Sequence, residues 1–386
     1  MKQFGEHYQE TIEANVFQEG RNLIEAGAKV VGIYCAFTPE EVIAAAKAIP
    51  VSLCAGTEKP IPTAEKHLPR NLCPLIKASY GHALDDTCPY FHYSDFLFAD
   101  ATCDGKKKMF ELLKGVKPVH VLYLPQTYEQ ASSVKQWMDE IHRMIEILER
   151  ETGNIITEEA LREQIKLFNE HRQTVQQVYE LNRGDIPFVF GREADVITGG
   201  GGFDCHIDRR IQEMKEAITL LQQRKGEPAF MQEMADRPRL LLTGCPSTNK
   251  KVMHLLEDSG AVIVAMETCG GLKTVSRRVN ENQEPLAALA EYYVNIACPC
   301  MTPNPGRFQL LKELIHSYRV EGVVELTWHA CHTYNVEAEQ VKRFITKDCD
   351  MKYLHIETDY SENDIGQLRL RIEAFVEMLQ SEREKR

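Results

Sequence analysis

The sequence predicts an α/β protein of two open parallel-sheet domains joined by a helical connector, and three observations carry that expectation. Short β-rich apolar runs alternate with helical segments in two separate stretches, the rhythm of a parallel sheet flanked by helices. Between those stretches, residues 130–225 lose the alternation and show charged helical periodicity instead. The length of 386 residues also exceeds what one hydrophobic core usually sustains, so two domains are the natural division.

In the first stretch, Lys29–Tyr34 (KVVGIY) reads as the opening strand. Thr38-Pro39-Glu40-Glu41 follows, where threonine can cap a helix, proline suits its first turn and glutamate completes a capping box. The helix Glu40–Ala48 leads to a second strand at Pro50–Leu53, and Asp95–Ala99 forms a third that ends near Cys103. Asp104-Gly105 opens another helix, and Val119–Leu124 reads as the fourth strand. The connector carries three helical segments, Ala131–Arg150, Glu158–Leu181 and Ile207–Arg224. From Arg239 the alternation resumes in LLLTGC, AVIVAMETC, GVVELTWHAC and YLHIET. Such runs belong to strands buried on both faces. Gly366–Leu379 is an amphipathic helix expected to pack on the second domain. The expected boundaries are 1–130 for the first α/β domain, 131–236 for the connector, and 237–386 for the second domain with its C-terminal helix.

A content of 43% hydrophobic and 26% charged residues is that of an ordinary globular chain. No run approaches the roughly 20 apolar residues needed to span a bilayer. Met1–Arg21 is polar and charged, without the apolar segment of a secretion signal, so the expected location is the cytoplasm. The formal charge of -12 argues against nucleic acid or an anionic membrane as a partner, because phosphate would be repelled overall.

Twelve cysteines are then the informative feature. In a reducing compartment they point to ligands or reactive thiols rather than disulfides. Any single one is more simply a small buried hydrophobe. Position decides. Ligands of open parallel sheets bind beyond the carboxyl ends of the strands. Cys35, Cys54 and Cys103 follow the first three strands, and Cys245, Cys269 and Cys331 follow strands of the second stretch. Cys73-Pro74, Cys88-Pro89 and Cys298-Pro299-Cys300 set further thiols beside prolines, which stiffen a loop. The glycines of Thr243-Gly244-Cys245-Pro246 and Cys269-Gly270-Gly271 let a bulky group approach the backbone. Cys205 and Cys349 stand outside the pattern and are assigned to packing. The closely paired cysteines of a zinc site are absent, as are the ferredoxin spacings. Thiolates gathered from distant strand ends favour an iron–sulfur cluster between the domains, of a type that spacing does not give.

Other features carry less. Gly199–Gly202 lacks a following Lys-Ser or Lys-Thr and reads as a loop; no Walker motif occurs, so the chain is not expected to hydrolyse ATP. Asp104–Lys108 could meet an anion at a helix start, although a solvated charge run is the plainer reading. His92, His329, His332 and Glu325 lie near possible ligands, either as proton donors or as hydrogen-bonded structural residues.

Five motifs, in order along nearly the whole chain, resemble one superfamily. They are Tyr34-Cys35-Ala36-Phe37-Thr38-Pro39-Glu40-Glu41, Leu68-Pro69-Arg70-Asn71-Leu72-Cys73-Pro74, Thr102-Cys103-Asp104-Gly105-Lys106-Lys107, Thr243-Gly244-Cys245-Pro246 and Ile356-Glu357-Thr358-Asp359-Tyr360. Together they resemble the 2-hydroxyacyl-CoA dehydratase and benzoyl-CoA reductase superfamily, and within it the double-cubane cluster proteins. The likeness is weakest in the connector and at Gly199–Asp208. On this reading the cluster lies in the cleft between two Rossmann-like domains. The resemblance implies a double-cubane 8Fe–9S cluster of two bridged 4Fe–4S units, each held by three cysteines. It also implies a homodimer, a separate ATP-hydrolysing iron–sulfur activator, and reduction of small molecules such as acetylene; because the Lys106–Lys108 helix starts at Cys103, that helix is the expected docking place of the activator. Carried over by motif, Cys73, Cys103 and Cys331 match the three ligands of the ordinary dehydratase cluster. The extra cubane is assigned Cys88, Cys245 and one of Cys298 and Cys300, taken as Cys300, with Cys35 in reserve. His329 and His332 are the expected proton donors. Two alternatives remain: a 2-hydroxyacyl-CoA dehydratase subunit with one 4Fe–4S cluster, and a non-catalytic iron–sulfur electron carrier.

Overall fold

A computed structural model describes residues 21–22, 24–199 and 206–385. Two four-stranded sheets, all parallel, give an α/β fold of two Rossmann-like domains. The first sheet contains β1 (Val30–Ile33), β2 (Ile49–Ser52), β3 (Phe96–Asp100) and β4 (Val119–Leu122) in the order β2-β1-β3-β4. The second contains β5 (Arg239–Gly244), β6 (Val262–Glu267), β7 (Gly322–Trp328) and β8 (Lys352–Thr358) in the order β6-β5-β7-β8. The two orders are the same: β1 corresponds to β5, β2 to β6, β3 to β7 and β4 to β8. β3, β5, β6 and β7 are buried along their whole lengths, which is why their sequences run apolar without alternation.

The connecting helices are not free-standing. Trp137, Ile141, Met144 and Leu148 of the helix Ala131–Thr152 pack with Val31, Ile33 and Phe98 of the first sheet. Phe190, Ala194 and Ile197, at and within the helix Gly191–Thr198, pack with the second sheet's Ile263 and Leu241. The C-terminal helix Ile365–Glu384 buries Leu368, Ile372, Phe375, Val376 and Leu379 against the same core. Among the described residues, no helix is long and apolar enough to cross a membrane.

One local expectation fails. The capping box at Thr38-Pro39-Glu40-Glu41 does not form; the helix Glu40–Ala45 starts from Pro39 with no side-chain cap. Thr38 instead donates its hydroxyl to Asp100 at 2.9 Å, and Glu41 turns inward to Arg172 and Tyr293. Tertiary partners win over the local cap. The helix also stops before Ala48, because Lys47 takes a left-handed φ of 56°. Gly199 closes the helix before it; residues 200–202 and Cys205 lie outside the described residues.

Candidate metal centre

Matched strand orders put matched cysteines at the carboxyl end of each sheet. Cys35 and Cys245 follow β1 and β5, Cys54 and Cys269 follow β2 and β6, and Cys103 and Cys331 each lie three residues beyond β3 and β7. Four cysteines also stand at helix starts. Cys73, Cys88, Cys103 and Cys331 are the N-cap residues of the helices Pro74–Asp85, Pro89–Tyr93, Asp104–Leu113 and His332–Arg343. The first-turn amides of a helix lack internal partners and carry partial positive charge, so sulfur there is favoured as thiolate. Leu75 and Ile76 face Cys73 in this way, Gly105 and Lys106 face Cys103, and Tyr334 faces Cys331. Pro74 and Pro89 suit the first helical position, where an N–H would be unsatisfied in any case.

Two of these thiols, Cys73 and Cys331, meet Cys245 across the domain boundary. Cys331 takes hydrogen bonds from Cys245 and from Cys73, which together hold its thiol well below the usual range despite burial. Cys73 is pushed up by donating to Cys331 and by burial, and Cys245 by burial and then by Cys331. The Cys245 sulfur also accepts from the Trp328 amide at 3.4 Å, and the Cys245 amide donates to the Leu326 carbonyl at 2.8 Å. Gly244 makes this close crossing possible. Its φ is +114°, and a Cβ there would stand 2.1 Å from the Leu326 carbonyl oxygen. Cys103 neighbours Cys331 as well; burial raises its pKa, against the pull of its first-turn amides. The Tyr360 phenol lies beside Cys73, Cys54 and Cys245, donates to the Ala55 carbonyl at 3.0 Å and packs edge-on against Trp328.

A second group of thiols adjoins the first. Cys298 accepts a hydrogen bond from Cys300, which outweighs burial and brings it down to about 7, with Lys273 and Arg307 helping. Cys300 is correspondingly pushed up and neighbours Cys35. Burial raises Cys35 strongly, and raises Cys269 to about 11 although Lys273 and Lys106 oppose it. Cys54 directs its thiol to the Tyr34 carbonyl at 3.9 Å, and the Lys106 ammonium donates to the same oxygen at 2.6 Å.

The six cysteines expected as ligands therefore fall in different places. Cys331 bridges Cys73 and Cys245, with Cys103 beside it. Cys300 belongs to the second group, together with Cys298 and Cys35. Cys88 joins neither directly, although it shares Tyr34 as a neighbour with Cys54. Cys349 has Lys312 and Asp348 as its charged neighbours. His329 is exposed and paired with Glu357 at 3.1 Å, on an open pocket of about 300 Å³ lined also by Thr358, Asp359, Ser361 and Asp364. His332 is exposed at the start of its helix. His92 pairs with Asp86 on the surface at 2.8 Å. Glu325 is wholly buried in β7 and bound to Arg307 at 3.0 Å and Tyr353 at 2.5 Å.

Sequence reasoning read Lys106 only as part of a surface lysine run. Lys106 opens a run of three lysines that reads as solvated, yet only Lys107 and Lys108 behave so, pairing with Asp104 and Glu111. The signal was spacing: Lys106 lies on the buried stripe of Met109, Phe110 and Leu113. Lys273 was missed because nothing in its sequence neighbourhood predicts the buried carboxylate Glu267 that it meets at 3.2 Å.

Among the described residues, no three histidine, cysteine or acidic side chains converge on an ion-sized point. The donors are instead soft thiols spread over two adjoining groups, several of them deeply buried, and that donor set fits a thiolate-ligated iron–sulfur cluster.

Fold and site together define a two-domain Rossmann-like α/β protein whose thiols collect at strand ends on the domain boundary. The profile of the family described as 2-hydroxyglutaryl-CoA dehydratase, D-component, matches residues 35–379, and the chain belongs to that family. It is 40% identical over 360 residues to the "Putative dehydratase subunit YjiM" of Escherichia coli (strain K12), covering 93% of each chain. The beta subunit of (R)-phenyllactyl-CoA dehydratase from Clostridium sporogenes is 23% identical, over 93% of this chain and 94% of that one. A benzoyl-CoA reductase subunit from Thauera aromatica is 21% identical, over 88% of this chain and 87% of that one. These relatives place the chain in the 2-hydroxyacyl-CoA dehydratase and benzoyl-CoA reductase superfamily.

Proposed function

We propose that this chain is the cluster-bearing component of an anaerobic cytoplasmic reductase, acting as a homodimer on small molecules with electrons from a separate ATP-hydrolysing iron–sulfur activator. The observation that carries the reading is the pair of adjoining thiol groups, one spanning the domain boundary and one around Lys106. A single 4Fe–4S cluster on Cys73, Cys103 and Cys331 would leave Cys245, beside it, and Cys300, in the second group, without a role. In the proposed assignment Cys73, Cys103 and Cys331 hold one cubane of an 8Fe–9S double-cubane cluster, and Cys88, Cys245 and Cys300 hold the other. Cys35 and Cys298 lie beside Cys300 and are the substitutes for it. When bound, the cluster supplies low-potential electrons for reduction.

The chain's own residues would do the rest. Helix starts at Cys73, Cys88, Cys103 and Cys331 offset negative charge on sulfur. Trp328 and Tyr360 pack over the boundary and keep water from the thiols. His329 and His332, exposed beside Cys331, would carry protons in from solvent.

Anaerobically purified protein should contain about eight irons per chain, with sulfide in excess. About four would instead favour a dehydratase subunit acting on a CoA thioester, which the names of the phenyllactyl-CoA and benzoyl-CoA relatives also favour. Iron-free protein would overturn both readings. Full cluster content without turnover of any substrate would indicate an electron carrier. Cys331→Ala should lose most of its iron, whereas the double variant His329→Ala/His332→Ala should keep its iron and reduce substrate more slowly. Unchanged reduction in that variant would remove the histidines from the reaction.

A further inference from the structure

Lysine is almost never fully buried without a partner, because removing an ammonium from water is costly. Lys106 is 9% exposed and is held by one neutral acceptor, the Tyr34 carbonyl oxygen at 2.6 Å. The Cys54 thiol reaches that same oxygen at 3.9 Å, so ammonium and sulfur stand side by side. We propose that Lys106 is the fixed positive charge that sets the reduction potential of the thiol-bound centre. This inference rests on the cluster reading above.

The surroundings of Lys106 support the assignment. Burial works against its charge, while Cys35, Cys54 and Cys103, and least of the four Asp100, favour it. Asp100 is a poor counter-ion, since burial raises its own carboxyl to about 7 and Oδ2 is already engaged by Thr38. Lys273, the other buried lysine near the thiols, is different. Its charge is answered by Glu267 at 3.2 Å, within a network that also holds Arg307, Glu325 and Glu337. Lys273 also acts on Cys269 and Cys298, but among these two lysines Lys106 is the one whose ammonium meets no carboxylate at ion-pair distance. Its neighbours Met109, Phe110 and Leu113 would accept an apolar side chain at that position, so packing does not explain the ammonium. A positive charge beside a thiolate-ligated centre stabilises the reduced, more negative form and raises its potential.

The test compares Lys106→Met, Lys106→Gln, Lys106→Arg and Lys107→Met with the parent protein. Each is assayed for iron and titrated electrochemically under electron paramagnetic resonance. The two neutral variants should keep their iron and show at least a tenfold smaller reduced-to-oxidised ratio at a fixed potential, a downward shift of about 59 mV for a one-electron couple. Lys106→Arg and Lys107→Met should titrate with the parent. A neutral variant with full iron and an unshifted potential overturns the proposal. So does loss of iron in both neutral variants while Lys106→Arg keeps it, which would make the charge an assembly requirement instead. A parent protein that carries no iron defeats the cluster reading itself, a result distinct from either.

Discussion

Asp100 closes β3 with one carboxylate oxygen accepting from Thr38 and the other buried with no hydrogen-bond partner. Desolvation is the main reason its carboxyl is pushed up to about 7, against Thr38 and Lys106. A raised acid binds a proton in the folded state at a pH where the unfolded chain has released it. Its stabilising contribution is therefore complete below about pH 4 and is lost as pH rises through about 7. Urea unfolding of cluster-free protein should show stability falling between pH 5 and 7 with a component approaching 1.4 kcal/mol per pH unit, as an order of magnitude. Asp100→Asn, which keeps the shape and stays neutral, should flatten that component. An identical slope in the variant would assign the effect elsewhere. Thr38 shows why such details escape sequence reading: a threonine before Pro-Glu-Glu has every local reason to cap, and only the fold reveals the carboxylate that claims it.

Three helices meet at one buried charge. Glu41 of the helix Glu40–Ala45 accepts from Arg172 of Glu158–Glu180 at 2.5 Å and from Tyr293 of Pro285–Val294 at 2.6 Å. Arg172 also lies over the Tyr292 ring at 4.3 Å. A buried ion pair adds little net stability when formed, but breaking one partner strands the other. Glu41→Ala should therefore cost about 3–5 kcal/mol, whereas Glu41→Leu/Arg172→Met together should cost clearly less than either single change. Additive losses in urea unfolding would contradict this coupling. Elements of this kind were partly legible. The strands announced themselves because β3, β5, β6 and β7 are buried on both faces and so run apolar. Glu41 and Glu325 did not, because a charge whose partner lies more than a hundred residues away leaves no local pattern in the case of Glu41, and Glu325 sits inside an otherwise apolar strand.

At the scale of the molecule, the two domains touch through backbone. Gly56, in the loop after β2, lies so close to Thr248 that a Cβ would stand 2.2 Å from its carbonyl oxygen. Asn249 donates to the Gly56 carbonyl at 3.1 Å, and Tyr360 to that of Ala55 at 3.0 Å. Gly56→Ala should force these segments apart, lower thermal stability by the equivalent of about 1–3 kcal/mol and reduce iron retention. A melting temperature and iron content equal to the parent's would mean that the contact has slack. The two similar parallel-sheet domains were legible as alternation and the strand-end cysteines as a pattern, whereas the shared strand order came only with the structure. Their sorting into two groups was not, because it depends on how one domain faces the other.

That sorting has a consequence in time. Cys73 and Cys103 leave the ribosome early, while Cys331, which binds Cys73, emerges 228 residues after Cys103. At usual rates of synthesis the interval is roughly ten to fifty seconds, during which the first domain can fold alone. Through that interval Cys73 lacks Cys331 and remains open to oxidation. On the cluster reading proposed above, a centre held by Cys73 and Cys331 together would be completed only after Cys331 has emerged, so each newly made molecule would first pass through a thiol-bearing, metal-free stage.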